Sequence, residues 1–146
     1  MFTRFQAPVA LLARLMLAYI FVAEGWSKIV HYGPTLQYME RYGVPGTLLP
    51  LVILTELGGG LLVAFGYRSR WAAFALAGFC VLTALLFHAP RMADVNEYIH
   101  LTKDIAIAGG FLLLVAFGPG EWSLDHLQKH RPSLLSAAPS ATGQQG

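Results

Sequence analysis

The sequence predicts an all-α membrane protein, an antiparallel four-transmembrane-helix bundle with a short interfacial helix in the first external loop. Of the 146 residues, 55% are hydrophobic and only 12% are charged, whereas about a quarter of the residues in soluble domains are charged. Four apolar stretches each approach the roughly 17 to 25 residues that a helix needs to cross a bilayer. Because these stretches are continuous rather than alternating, they favour helices over the strands of a membrane barrel.

The four stretches and their loops predict one membrane domain over residues 1–125. The spans are expected at about residues 8–30, 48–65, 71–87 and 101–117. The first stretch contains charged residues and ends without a small-residue cleavage site, so we interpret it as a retained helix rather than a signal peptide.

Two connecting segments have distinctive compositions. Between Pro34 and Gly43 the first external loop carries aromatic residues bounded by helix-breaking ones, which predicts the short interfacial helix. An ordered loop with aromatic anchors is an equal alternative. Residues 126–146 are rich in Ser, Ala, Pro and Gly, a composition that cannot bury a core, and they predict a flexible cytoplasmic tail.

The distribution of Lys and Arg predicts the orientation of the bundle, because these residues bias short loops toward the cytoplasm. Four spans place the N-terminus, the turn at residues 66–70 and the C-terminal tail on one side. That side holds Arg4, Arg68, Arg70, Lys129 and Arg131, whereas the opposite loops hold Arg41 and Arg91. We therefore expect a multi-pass protein with both termini in the cytoplasm.

Ionisable residues occur in or beside all four predicted spans. A charge in the hydrocarbon layer costs about 2.5 to 3.5 kcal/mol, so such residues are expected to be paired, hydrated or functional. In the four-span topology nearly all of them lie in the outer half of the bilayer, which predicts one polar ligand-binding pocket between the helices. Its predicted members are Glu24, Lys28, His31, Glu56, His88, His100, Lys103 and Asp104. Arg14 is the exception, and we expect it to snorkel toward the cytoplasmic headgroups.

The charges of this predicted pocket do not balance. Three carboxylates stand against two lysines, so one carboxylate must be protonated, matched by a histidinium or matched by a bound cation. Two i, i+4 pairs are expected, Glu24 with Lys28 and His100 with Asp104. Glu56 is predicted to lie deepest, which would suit proton uptake or release. The candidate catalytic residues are Glu56, His88, Lys103 and Asp104.

Several other chemistries lack their sequence signals. The histidines could ligate a metal together with Asp94, Glu97, Glu56 or Asp104, but two nearby lysines oppose a cation, so no metal is predicted. No GxSxG motif indicates nucleophilic catalysis. Cys80 is the single cysteine, which excludes a disulfide within one chain. The net charge of +2 is small and dispersed, and no nucleic-acid partner is expected.

The sequence resembles the DoxX family of small bacterial inner-membrane proteins over roughly residues 10–126. The resemblance is carried by ARLMLAYIFVAEGWSKI, YMERYGVPGTLLPLVILTELGGGLLVAFGYRSRWAA, LTALLFHA, LTKDIAIAGGFLLL and FGPGEWSLD, in this order. It implies a four-helix bundle in the bacterial inner membrane, with Arg14, Gly25, Lys28, Glu56, Gly59, His88 and Lys103 at family-pattern positions. Glu24 stands where similar proteins often have a small or polar residue, and Asp104 stands where asparagine is common.

Three functions fit these observations. Family relatives are linked to quinone-dependent redox and oxidative-stress complexes, so the first is a membrane subunit that binds a quinone in the pocket. No haem, flavin or iron–sulfur motif is present, so no covalent cofactor is expected and electrons would come from a redox protein partner. The second is a non-catalytic scaffold or assembly factor. The third is a small solute or proton transporter, for which four helices would need to form a homo-oligomer.

Overall fold

The computed structural model describes residues 5–130, and this part of the chain is helical with no strand. Its helices in chain order are α1 (Gln6–Val30), α2 (Tyr32–Arg41), α3 (Gly46–Phe65), α4 (Ser69–Arg91), α5 (Val95–Phe117) and α6 (Leu124–Lys129). Helices α1, α3, α4 and α5 are long and apolar enough to cross a membrane. The predicted four-helix membrane fold is confirmed.

The four long helices form a bundle around a buried apolar core. Helix α1 packs against α3, α3 against α4 and α4 against α5, and α5 returns to contact α1. At the centre, the ring of Phe21 meets the ring of Phe111 edge to face at 5.3 Å between centroids. Val63 and Leu76 are completely buried beside them. Large apolar side chains also cover the outside of the bundle, where lipid is their natural solvent, as for Met16, which is 68% exposed.

The start of α5 and the end of α4 lie several residues outside the predicted spans, whereas the other helix ends agree with them to within about two residues. Helix α5 begins at Val95 rather than near residue 101, because the Asp94 carboxylate accepts a hydrogen bond from the backbone N–H of Asn96 at 2.8 Å and caps the helix. The first turns of α5 are polar, so hydropathy alone excluded them. Helix α4 similarly extends to Arg91, four residues past the predicted end of its span.

The loop after α1 contains the short helix α2, which begins at Tyr32, before Pro34. Its location at the membrane interface stays a prediction. The predicted cytoplasmic tail begins within α6, and its remainder from residue 131 lies outside the described residues.

Arg14 does not snorkel into the headgroups, contrary to expectation. It is 3% exposed, and its guanidinium group donates hydrogen bonds to three backbone carbonyls: Ala64 at 3.3 Å, Pro119 at 2.7 Å and Trp122 at 2.8 Å. Ala64 lies in the last turn of α3, where helix carbonyls have no partner within the helix. The five donors of the guanidinium fork make arginine suited to this position. Arg14 thus joins α1 to the end of α3 and to the segment that follows α5.

The same end of the bundle is held together by Asp125. Its carboxylate accepts hydrogen bonds from the backbone N–H of Arg68 at 2.7 Å and of Ser69 at 3.0 Å, and from the Ser69 hydroxyl at 2.6 Å. It therefore caps the first turn of α4 from the other end of the sequence. Partial burial works to raise the pKa of Asp125, but the hydrogen bonds from Ser69 and Arg68 and the positive charge of Arg14 outweigh it, and the pKa lies below its ordinary value.

Replacement of Arg14 by alanine is expected to lower the free energy of unfolding by about 3 kcal/mol, because three carbonyl groups lose their donor in a buried place. Arg14→Lys is expected to recover only part of this loss, since an ammonium group cannot reproduce the fork. Thermal unfolding in detergent micelles, followed by circular dichroism, measures both. The exposed Arg41→Ala is the control, and a wild-type melting temperature for Arg14→Ala would contradict the assignment.

Candidate functional site

A cavity of about 880 Å³ lies between the long helices at the end of the bundle where α1 and α4 finish and α3 and α5 begin. All four long helices and α2 contribute to its walls, which are mostly apolar. The predicted pocket residues that line it are Glu24, Lys28, Glu56, His88, His100, Lys103 and Asp104. His31 is not among the lining residues; it is exposed, and its Nδ1 lies 3.0 Å from the carbonyl oxygen of Ser27.

One side of the cavity is built around Lys28. Its ammonium group donates hydrogen bonds to Glu24 Oε2 at 3.3 Å and to Glu56 Oε1 at 3.0 Å, so one lysine on α1 links two carboxylates. Glu56 belongs to α3 and is only 5% exposed, whereas the Glu24 side chain is 59% exposed. Glu56 Oε2 is also 2.9 Å from the lysine nitrogen, yet it accepts no hydrogen bond from the described residues. Glu56 is therefore the carboxylate whose charge depends most on Lys28.

The pairing of Lys28 with Glu56 requires α1 and α3 to approach closely. At the contact, a methyl group placed on Gly25 would lie 2.8 Å from the backbone nitrogen of Leu57, a distance that side-chain carbons do not tolerate. Glycine at this position therefore lets the two backbones meet. Gly25 lies one turn before Lys28 and Leu57 follows Glu56, so the tight contact sets the distance across the ion pair.

Asp104 on α5 forms the other polar side of the cavity. The Thr83 hydroxyl donates a hydrogen bond to Asp104 Oδ2 at 3.0 Å, and His88 Nε2 lies 3.8 Å from the same oxygen. The predicted ion pair between His100 and Asp104 does not form in the described part of the chain. The His100 ring instead stacks on the His88 ring, with 5.2 Å between centroids.

Glu97 is a member of this cluster that sequence reasoning considered only as a metal ligand. Its Oε2 lies 2.7 Å from His88 Nδ1, and its Oε1 accepts a hydrogen bond from the Tyr42 hydroxyl at 3.2 Å. Glu97 and Asp104 are seven residues apart on α5, so they lie two turns apart on one face. That periodicity would have revealed the pair if the polar start of α5 had been recognised as helical.

Both π-helical turns in the described residues carry a pocket side chain. Leu54–Gly58 in α3 contains Glu56, and Ala84–His88 in α4 ends with His88. A π turn inserts an extra residue into the helical register and occurs frequently at functional sites. Here each π turn changes the face of its helix on which the pocket side chain lies, so that Glu56 and His88 line the cavity.

Aromatic side chains cover the outer end of the cavity. The rings of Tyr38 on α2 and Phe87 on α4 stack at 5.8 Å, and Tyr42 lies 5.3 Å from Phe87. The Arg91 guanidinium carbon is 4.1 Å from the centre of the Tyr42 ring, which is a cation–π contact. Partial burial and the neighbouring Tyr42 raise the pKa of Tyr38, so its hydroxyl stays neutral. Helix α2 thereby forms an aromatic wall next to the polar groups.

The arrangement can hold a partly apolar ligand and exchange protons with it. Lys103 lines the cavity and has no hydrogen bond or ion pair within residues 5–130, so its ammonium group is available to a ligand oxygen. Histidine and carboxyl groups can take up or release protons near neutral pH when their surroundings favour it. Among the described residues, no group of three or more His, Cys, Asp and Glu side chains is placed to hold a metal ion.

A sequence model of the DoxX family matches residues 9–89, which include Glu24, Lys28, Glu56 and His88. The chain belongs to the DoxX family. The match ends before α5, so Lys103, Asp104 and Glu97 are outside the segment that it covers.

The names of similar proteins are consistent with a membrane protein of the DoxX family. The chain is 50% identical over 117 residues to the inner membrane protein YqjF of Escherichia coli K12, covering 80% of this chain and 89% of the relative. It is 34% identical over 125 residues to the inner membrane protein YphA of the same organism, covering 81% and 89%. It is 31% identical over 101 residues to a Bacillus subtilis protein named "Putative oxidoreductase CatD", covering 67% and 75%. No solved structure matches the chain.

Removal of the Lys28 charge is expected to destabilise this DoxX-family bundle by about 3 kcal/mol, because Lys28→Met leaves the Glu56 carboxylate buried without a partner. The double variant Lys28→Met with Glu56→Leu is expected to regain most of that loss, since both charges are then absent. Melting temperatures in detergent test this, with Lys103→Met as the unpaired-lysine control. A double variant no more stable than Lys28→Met would argue against charge burial as the cause.

Gly25→Ala is expected to cost about 1 to 3 kcal/mol, because the added methyl group pushes α1 away from α3. Gly109→Ala is the matched control in a spanning helix, since a methyl group there meets no atom within 4 Å. The two melting temperatures are compared under one detergent condition. Equal values for Gly25→Ala and Gly109→Ala would show that the helices have room to separate.

Proposed function

We propose that this DoxX-family protein is a subunit or partner of a quinone-linked redox or oxidative-stress system in the bacterial inner membrane, and that its cavity binds a quinone. The observation that carries the proposal is a cavity that combines apolar walls with an unpaired lysine and titratable side chains at its polar end. Quinones have this same division between an apolar body and oxygen atoms that accept protons. The relative named as an oxidoreductase supports the redox part of the proposal, and the relatives named as inner membrane proteins support its location.

The volume and chemistry of the cavity suit such a ligand. Small-molecule sites are commonly about 300 to 1,000 Å³ in volume, mostly apolar, with a few placed polar groups. The lining aromatic residues Phe79 and Phe87 would contact the ligand ring, and the ammonium group of Lys103 would attract negative charge on a ligand oxygen. His88 and Glu56 would exchange protons with the ligand. We assign the supply of electrons to a redox protein partner.

The proposed orientation places the cavity in the outer half of the membrane, with both termini in the cytoplasm. Arg68, Arg70 and Lys129 lie at the end of the bundle opposite the cavity, where the positive-inside rule places cationic residues. In this orientation the ligand would enter from the outer leaflet.

The scaffold alternative is favoured by a specific observation, namely that Arg14 and Lys28 each join α1 to α3 through partly buried hydrogen bonds. Their primary effect is then to fix the arrangement of the bundle for an assembly partner. The transport alternative has less support. Beneath the cavity, Leu76, Val63 and Phe111 are completely buried and fill the space between the helices, so the described bundle has a packed core below its polar groups.

Quinone content of the purified protein tests the proposal. Protein purified in mild detergent is extracted with organic solvent and its quinones are quantified by mass spectrometry, and ubiquinone-1 binding is then measured by isothermal titration calorimetry. Lys103→Ala and Glu56→Gln are expected to weaken binding of ubiquinone-1 by about tenfold, the effect of losing one charged contact of about 1.4 kcal/mol.

Lys129→Ala is the control, because this lysine lies at the other end of the bundle. Wild-type binding in both cavity variants, or no binding to the wild-type protein, would overturn the quinone assignment. A wild-type phenotype in cells that carry the cavity variants would favour the scaffold function instead.

A further inference from the structure

We propose that Asp104, His88 and Glu97 form a proton path that connects the cavity with the aqueous phase at the outer end of the bundle, with Glu97 as its exit. This inference deepens the proposed function, and its use during quinone turnover rests on that function. Neither the family match nor the named relatives assign any role to these three residues.

The three side chains form a continuous series of contacts. Asp104 lines the cavity, His88 lies between the two acids, and Glu97 lies closer to the start of α5. The distances are 3.8 Å from Asp104 Oδ2 to His88 Nε2 and 2.7 Å from His88 Nδ1 to Glu97 Oε2. The first distance is longer than a hydrogen bond, so proton transfer between Asp104 and His88 requires a movement of the His88 ring toward Asp104.

The histidine ring is suited to pass a proton between two acids. The short contact with the Glu97 carboxylate favours a proton on Nδ1, which leaves Nε2 free to accept one from the direction of Asp104. The side chains of His88, Glu97 and Asp104 are 15%, 19% and 22% exposed, so all three are partly shielded. Asp104 and His88 line the cavity, whereas Glu97 is not among the lining residues. The contacts of His88 thus join an acid in the cavity wall to an acid outside it.

The transfer moves one proton and no electrons. A proton released in the cavity binds to Asp104 Oδ2 and passes to His88 Nε2. His88 gives its Nδ1 proton to Glu97, and Glu97 releases a proton to water. The ring then carries its proton on Nε2. Loss of the Nε2 proton to water and uptake of a proton from water at Nδ1 restore the starting tautomer with no net proton transfer. Proton uptake into the cavity follows the same steps in reverse.

Other titratable or charged groups border the path from each packed element. Tyr42 at the end of α2 donates a hydrogen bond to Glu97 and fixes its position, and Arg91 lies over the Tyr42 ring. On the cavity side, the Thr83 hydroxyl orients Asp104. The remaining neighbours are His100, Lys103, Cys80 and Tyr38. Because Tyr42 and Thr83 each hold one terminal acid, the path has a fixed geometry at both ends.

A proton-jump experiment without quinone tests the path, so its result is independent of quinone binding. Purified protein in lipid nanodiscs receives a photolytic pH jump between pH 5 and pH 8, and the carboxyl band assigned by its loss in Asp104→Asn is followed by time-resolved infrared spectroscopy. Glu97→Gln and His88→Phe are expected to slow the response of Asp104 by about tenfold or more. Glu40→Gln is the control, because Glu40 is exposed on α2 and does not line the cavity.

Two outcomes would overturn the path: unchanged Asp104 rates in both Glu97→Gln and His88→Phe, or no Asp104 band that responds within this pH range. Melting temperatures and ubiquinone-1 affinities of the variants are measured in parallel. Glu97→Gln preserves the shape of the side chain, so slow proton transfer with wild-type stability separates a role in the path from a defect in folding. Suppose that Glu97→Gln and His88→Phe bind ubiquinone-1 more weakly than the wild-type protein but show wild-type Asp104 rates. That result would contradict the path, while the quinone site itself would remain supported.

Discussion

The bundle depends on hydrogen-bond partners for two cations that α1 brings into an apolar environment. Arg14 and Lys28 are fourteen residues apart, which is about 21 Å along a helix, so they lie near opposite ends of the span. Arg14 binds carbonyl groups and Lys28 binds carboxylates. A charge left alone in hydrocarbon is costly, and each of these cations has a partner on α3: the Ala64 carbonyl for Arg14 and the Glu56 carboxylate for Lys28. The position of α1 relative to its neighbours is thereby fixed at both ends by electrostatics.

Between those two fixed ends, helix geometry directs side chains into the cavity. The close approach at Gly25 brings α3 to α1, and the π turn in α3 rotates Glu56 toward the resulting space. A second π turn in α4 does the same for His88. An unbroken α-helical register would place these side chains at different angles around their helices. The polar end of the cavity is therefore a product of local irregularity in otherwise regular helices.

Much of the architecture could be predicted from the sequence because hydropathy reports directly on spans. The same signal misplaced the start of α5, where a polar first turn is stabilised by the Asp94 cap, and so it separated Glu97 from the cavity. Ion pairing along one helix was predictable for Glu24 with Lys28, since it follows from spacing alone. The contact of His88 with Glu97 was not, because it depends on how α4 and α5 face each other. Spacing along one helix also could not reveal the partners of Arg14, because its carbonyl partners belong to distant segments. The prediction that Arg14 snorkels was therefore wrong.

The carbonyl partners of Arg14 also have a consequence for biosynthesis. Trp122, which accepts one of its hydrogen bonds, follows Arg14 by 108 residues in the chain. At about 5 to 20 residues per second, a ribosome needs on the order of ten seconds to make that intervening stretch. During this interval α1 has left the ribosome with a cation that cannot yet reach its final partners. Two of the three hydrogen bonds of Arg14 can therefore form only after the segment that follows α5 has been synthesised.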